Sequence, residues 1–317
     1  MNSNSDRDDH IFISDKDIAA LRISPSRLVD AIEAALVAKA KGRIHVAPKS
    51  VLLPGQGRYV MSTLASDDAV TALKTVSVIP DNPDRNLPRI NGAILLLDAK
   101  TGLLKAVMDA NWITAQRTAA LSVIAARHLA EPQSQTIGFI GCGVQAHSHL
   151  AALIGFFPVR HVLVCSRTRA AEEEFCAKAR QLGISARATD AEETLRTADI
   201  VVTSITLDYS VTPFLNARWM KPTAFATITD LCIPWKPDSL HIFKTLVIDD
   251  LEQERTAERP LLRHQTIAGD LVGLVTGQVD PGRRPAAFAF RGIALGDFAA
   301  ANLVYQLARK GKGESCS

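Results

Sequence analysis

Leu28, Val29, Ile32, Ala35 and Leu36 recur at the 3.6-residue helical period. Ser24-Pro25 stands in front of them as an N-cap with proline at the first helical position, so the pattern predicts an amphipathic helix running to about Lys41. The first few residues read as a loose tail. Between Ile44 and Asp98 short apolar runs alternate with Gly, Pro and Asn. Residues 50–53, 59–63, 72–79 and 93–97 read as strands of an antiparallel sheet, with turns at 54–57 and 81–88. Residues 113–129 form an Ala-rich helical pattern without internal Gly or Pro, and Glu131-Pro132 ends it.

From Gln135 strands and helices alternate. Strands are expected at 136–140, 161–165, 185–188, 200–204, 224–229 and 245–249, and helices at 145–157, 169–182 and 191–197. That alternation is the mark of an α/β chain with a doubly wound parallel sheet. A last Ala-rich helix, 292–308, has the texture of the first part of the chain rather than of the second.

The 317 residues suit about two domains. With 47% hydrophobic and 22% charged residues, the chain has apolar material for a core and is not a disordered polymer. Its net charge of +3 is too near balance for a nucleic-acid or membrane surface. No apolar run reaches the roughly 18 residues of a membrane span, and the polar start MNSNSDRDDH is not a secretory signal. Cys142, Cys165, Cys176, Cys232 and Cys316 are odd in number and widely spaced, which fits neither a disulfide framework nor a zinc site. They read as small hydrophobes in a reducing, cytoplasmic protein.

Gly141, Gly143 and Ala146 form a Gly-x-Gly-x-x-Ala fingerprint between an apolar strand and a helix. Gly141 permits the tight turn, Gly143 lets backbone approach a pyrophosphate, and Ala146 lets the helix pack close to its strand. The helix start then offers N–H groups to phosphate. An acidic residue at the end of the second strand would favour NAD. The chain has Ser166-Arg167-Thr168 there, whose donors and guanidinium suit a 2′-phosphate, so NADP(H) is expected over NAD(H). The other reading is that Arg167 stacks on adenine and both cofactors are accepted.

Several motifs in order carry a resemblance. They are Ala72-Leu73-Lys74-Thr75-Val76 before Pro80-Asp81-Asn82-Pro83, Gly92–Asp98 before Thr101-Gly102, Thr114–Ala120, the Gly141–Gln145 loop, and Gly292–Asp297. From about residue 12 to 310 the chain resembles the ornithine cyclodeaminase/μ-crystallin family. The resemblance implies a discontinuous α+β domain, 1–130 plus 288–317, that binds substrate and forms a homodimer. A Rossmann NAD(P)-binding domain, 131–287, is inserted into it. It also implies a nicotinamide cofactor acting on a C–N bond beside a carboxylate.

Residue by residue, Lys74 matches the family's active-site lysine, Arg117 the arginine that grips the substrate carboxylate, and Asp230 the aspartate near the nicotinamide. Thr118, Gly141, Gly143, Val144, Gln145, Ser166, Arg167, Thr168, Thr203, Ser204 and Thr229 are implied to line the cofactor, with Arg117 and Asp230 beside it. Met61 and Lys49 are implied at the substrate. Asp297 is left between a capping or packing role and the cofactor site. A bidentate arginine aims the α-carbon, and a cation near the imine supports the charge of the transition state. A lysine beside an arginine is expected to titrate low, which suits proton transfer.

Two positions depart from the family. Lys49 stands where many members have an arginine, and a point charge replaces a fork. Tyr59 or Val60 stands where a cyclodeaminase carries a glutamate for the distal amine of ornithine. Arg58 nearby is either a contact for a second carboxylate or a surface hairpin charge. The first functional reading is therefore an NAD(P)H-dependent reductase of a small α-imino acid, or the reverse amino-acid dehydrogenation. An ornithine or lysine cyclodeaminase that recycles NAD internally is the second, and a non-catalytic nucleotide-binding protein the third.

Overall fold

The computed structural model describes residues 10–262 and 265–314, so the N-terminal tail and Cys316 lie outside the described residues. The chain divides into two compact units, Met1–Arg117 with Ile293–Ser317, and Thr118–Gly292. The divisions fall at 117/118 and 292/293, where the sequence suggested about 130 and 288. The first lies inside a continuous helix. The second lies beyond a late strand, Ala286–Ala289, that pairs in the parallel sheet.

The first unit opens with β1 (Ile11–Ile13), α1 (Asp15–Ala20) and α2 (Pro25–Ala40). Ser24 caps α2 by accepting from the Arg27 N–H, and Leu28, Val29, Ile32, Ala35 and Leu36 form its buried face, as the periodicity predicts. Then come β2 (His45–Val46), β3 (Ser50–Gly55), β4 (Arg58–Ser66), β5 (Val70–Val78), β6 (Ile90–Asp98), β7 (Leu104–Asp109) and the start of α3 (Asn111–Leu129). The strands form one sheet in the order β1-β7-β6-β5-β4-β2, with β3 paired to β4. It is antiparallel from β2 to β7, while β1 adds a parallel edge that the sequence pattern did not reveal. β1 is only three residues long, too short for alternation to register.

Register explains the site. Ile13, Met108, Ile94, Lys74 and Thr63 stand opposite one another across five strands. All five are buried, so a lysine and a threonine occupy the core row of an otherwise apolar sheet face. The C-terminal α9 (Ala294–Glu314) packs on β4, β5, β6 and α2. The texture of this helix was legible because it belongs to the first unit.

The second unit contains β8 (Thr136–Ile140), α4 (Val144–Leu153), β9 (His161–Cys165), α5 (Arg169–Gln181), β10 (Ser185–Ala188), α6 (Ala191–Thr197), β11 (Ile200–Thr203), β12 (Phe225–Ile228), β13 (Thr245–Ile248), α7 (Leu251–Thr256), β14 (Gly269–Asp270), α8 (Leu271–Val275) and β15 (Ala286–Ala289). Its eight strands are all parallel, in the order β10-β9-β8-β11-β12-β15-β13-β14. Six were expected. β15 was missed because Ala286, Ala287 and Ala289 carry little β preference, and its place between β12 and β13 is set by tertiary pairing alone. Buried on both faces, the central strands read as continuous apolar runs. Among the described residues no helix is long and apolar enough to cross a membrane.

Candidate active site

Three ionisable groups meet inside the first unit. Lys74 Nζ lies 2.7 Å from Asp297 Oδ1, and Arg117 Nε lies 2.8 Å from the same oxygen. Thr63 Oγ1 donates to Asp297 Oδ2 at 3.2 Å. Lys74 is 1% exposed, and Arg117 and Asp297 are 3% exposed. The chain brings them together from β5, α3 and the first turn of α9. Two buried cations share one carboxylate, and Lys49, half-buried, adds its field to Lys74. The cluster therefore carries an excess of positive charge in a poorly solvated place, which is how a protein prepares to hold an anion.

The titration of Lys74 follows from this setting. Burial pushes it down, the Asp297 carboxylate pulls it back, and Arg117 and then Lys49 push it down again, leaving it at about 7. The direction agrees with the sequence expectation, but the first cause is burial rather than the arginine. For Asp297, burial pushes the carboxyl up, yet Arg117 and Lys74 outweigh it and hold the group below the usual carboxylate range. The sequence allows Asp297 either a packing role or the cofactor site; in the structure it is the counter-ion of Lys74 and Arg117. Thr63 was missed. Its signal was its two-residue spacing from Met61, which puts both on the face of β4 that carries the site.

Met61 is half-buried on β4 opposite Val76, and Tyr59 shares its face. Val60 points to the other face, so Tyr59 is the residue on the Lys74 side. Arg58 is exposed and donates to the carbonyls of Gly55 and Pro54 at 3.2 and 3.3 Å. Both features suit the surface hairpin charge of the two readings.

The glycine loop is in the second unit. Gly141 has φ +97°, and a Cβ there would meet the Ser204 carbonyl oxygen at 2.7 Å. Only glycine fits that turn. Gly143 is the N-cap of α4, receives no side-chain cap, and has open space where a Cβ would be. Val144 behind it is 70% exposed. The first N–H groups of α4 are thus uncapped beside an open glycine surface, and Gln145 Oε1 and Ser204 Oγ are buried polar atoms with no hydrogen-bond partner. These features fit the pyrophosphate of a dinucleotide. Ala146 is fully buried, as its packing role requires.

At the end of β9, Ser166 is half-buried and Arg167 exposed, while Thr168 caps α5 by accepting from the Ala171 N–H at 3.4 Å. Thr118, the first residue of this unit, is buried on α3. Asp230 is fully buried. It accepts from Thr203 Oγ1 at 3.0 Å and from the Ile205 N–H at 3.2 Å, and Trp235 Nε1 in turn donates to Thr203 Oγ1 at 3.2 Å. Thr229 Oγ1 donates to the Thr203 carbonyl at 2.8 Å. Burial pushes Asp230 up, and the bonds from Ile205 and Thr203 only partly oppose it, so it titrates at about 7. The next two residues, Leu231 and Cys232, both have left-handed φ, 57° and 59°. Consecutive non-glycine residues in that region are strained and mark a turn held by its surroundings. Nothing in the sequence signals it.

A second buried polar chain was also missed. Thr227 Oγ1 donates to Ser122 Oγ at 2.8 Å, and Ser122 lies 2.8 Å from His149 Nε2. His149 Nδ1 lies 2.7 Å from the Gln145 carbonyl. That carbonyl can only accept, so Nδ1 carries the proton and Nε2 accepts from Ser122. The chain fastens α4 to α3 and β12 within the second unit.

The model of the ornithine cyclodeaminase/mu-crystallin family matches residues 9–312. The chain belongs to that family. It is 30% identical over 310 residues to an alanine dehydrogenase of Archaeoglobus fulgidus, covering 93% of this chain and 94% of that one. It is 30% identical over 317 residues to the ketimine reductase mu-crystallin of Rattus norvegicus, covering 95% and 98%. Among solved structures, an archaeal alanine dehydrogenase dimer with bound NAD superposes with a TM-score of 0.84 at 27% identity, covering 96% of this chain and 97% of that one. The mixed α/β architecture with its parallel nucleotide-binding sheet is the family fold.

Proposed function

We propose that the chain is an NAD(P)H-dependent reductase of small α-imino acids, of the ketimine or Δ1-pyrroline-2-carboxylate type, able to run the reverse amino-acid dehydrogenation. The observation that carries this reading is the buried Lys74–Asp297–Arg117 cluster with its surplus of positive charge. Arg117 and Lys49 hold the substrate carboxylate, which fixes the α-carbon. Lys74, near half-protonation at neutral pH, hands a proton to the imine nitrogen in reduction and takes one from the amine in oxidation. The nicotinamide, when bound, supplies or receives the hydride. Asp297 keeps Lys74 protonated enough to serve as the acid.

The cyclodeaminase reading lacks a feature it needs. Tyr59, not a carboxylate, shares the face with Met61 and Lys74, so a distal amine has no counter-ion there. Intact Lys74 and Arg117 argue against a purely binding role. The uncapped α4 start supports a dinucleotide, and Arg167 supports NADP(H) over NAD(H).

A homodimer fits the outer face of the first sheet. Leu64, Leu73, Leu95, Val107 and Phe12 form one apolar row across five strands, with Leu64 39% and Phe12 64% exposed.

The test is loss of NADPH absorbance with Δ1-pyrroline-2-carboxylate, Δ1-piperideine-2-carboxylate, and pyruvate plus methylamine. Turnover of at least one is expected, and Arg117→Ala abolishes it while nucleotide binding persists. A protein that binds NADPH and turns over none of them overturns the reading. Ammonia release from ornithine or lysine without net cofactor change would support the lyase instead.

A further inference from the structure

The end of β9 has no carboxylate in its own sequence, yet one stands beside it in space. Ser166 N–H donates to Glu172 Oε1 at 2.8 Å. Glu172 lies in the first turn of α5 and reaches back to the strand end. The Gly141 N–H donates to the Cys165 carbonyl at 2.8 Å, so the fingerprint turn and the end of β9 are joined. The Glu172 charge is felt by the thiols of Cys142 and Cys165, one on each side of that joint. A carboxylate has room for about four hydrogen bonds, so the bond to Ser166 leaves acceptor capacity.

The donors expected to hold a 2′-phosphate are partly engaged. The Thr168 hydroxyl caps α5. Arg169 is paired with Glu173 at 3.1 Å on the exposed side of the helix. Arg167 remains as the guanidinium of this turn, and its field reaches the carboxylate of Asp208.

Resting on the functional reading above, we propose that Glu172 sets the choice between the two nicotinamide cofactors. It accepts from the ribose hydroxyls of NAD(H) and repels the 2′-phosphate of NADP(H), offsetting Arg167 and keeping NAD(H) usable. The acidic group that an NAD site places on the strand end is here supplied by the following helix. Like-charge repulsion of a 2′-phosphate acts on one cofactor only, which is what specificity requires.

The experiment measures dissociation constants of NADPH and NADH, by quenching of protein fluorescence, for the unsubstituted chain and for Glu172→Gln, Glu172→Asp and Glu173→Gln. Glutamine keeps an acceptor for the Ser166 N–H and removes only the charge. The Kd ratio is expected to move toward NADPH by about tenfold in Glu172→Gln. Glu172→Asp, with its charge withdrawn by one methylene, moves it the same way by less, and Glu173→Gln leaves it unchanged. The same shift is expected in kcat/KM wherever turnover is found. If both nucleotides change by the same factor in Glu172→Gln or Glu172→Asp, or neither changes, Glu172 only fastens the backbone and the inference is overturned. If the unsubstituted chain binds neither nucleotide, the functional reading falls and the inference with it.

Discussion

Replacing Asp297 with Asn keeps the shape of the side chain and removes the charge that holds Lys74 and Arg117. Asp297 is the one group that raises Lys74 against burial, Arg117 and Lys49, so its loss drives the lysine below its present value of about 7. Unit charges about 4 Å apart interact by about 4 kcal/mol at an effective dielectric of about 20, which corresponds to roughly three pKa units. Relaxation and water entry remove part of this, leaving an expected drop of one to two units, on the order of half that figure. Lys74 acts as an acid in reduction, so kcat/KM for the imine falls as pH rises through its pKa. That alkaline limb, near 7 in the unsubstituted enzyme, is expected to move below about 6 in Asp297→Asn, with roughly a tenfold loss of rate at neutral pH. Stability provides a second readout. Because the folded pKa of Lys74 lies below its ordinary 10.5, the unfolded chain binds more protons between about 7 and 10.5, and this group's contribution to stability rises with pH across that window. In the variant the window opens lower. The loss from two uncompensated buried cations, about 3–5 kcal/mol at acid pH, is therefore partly recovered by about pH 8. Denaturant unfolding across that range measures it. An alkaline limb that stays near 7 or moves up, or a stability loss independent of pH, would refute the reasoning.

Gly141→Ala forces a Cβ to within 2.7 Å of the Ser204 carbonyl at φ +97°, so about 2–4 kcal/mol of stability and most nucleotide binding are expected to go; a variant with unchanged Tm and Kd contradicts this. Burial holds His149 at about 4, below its ordinary 6.5, so the unfolded chain takes up the extra proton and stability falls as pH falls from 6.5 toward 4. His149→Gln is expected to cost stability at neutral pH, by about 1–3 kcal/mol through Ser122 and Thr227, and to flatten that acid dependence in urea unfolding. Leu95→Asp in the centre of the apolar row is expected to yield monomers in sedimentation experiments without loss of the first unit's far-ultraviolet signal; an unchanged sedimentation coefficient would place the dimer contact elsewhere.

The local elements were legible because their periods are local. The 3.6-residue repeat of α2, the two-residue repeat of β4 to β6, and the strand–glycine–helix of β8 and α4 are each written within about a dozen residues. The strands that escaped are β1, β2, β7, β14 and β15: β1, β2 and β14 are only two or three residues long, β15 is Ala-rich, and β7, six residues, is fixed by its pairing with β6 and β1. Resemblance reached further and put Lys74 and Arg117 in the site, but left Asp297 between two roles.

By itself the sequence determined the supply of parts: a glycine turn of the kind that suits a dinucleotide, a lysine and an arginine in family motifs, a strand end without a carboxylate, and no glutamate beside Met61. Tertiary structure alone decided which charge answers which. Asp297 meets Lys74 across 223 residues of chain, and Glu172 meets Ser166 because a helical turn folds back on the strand before it. Periodicity carries no information about either meeting. The energy of a buried charge depends on its neighbours in space and on its distance from water, and both are properties of the folded chain.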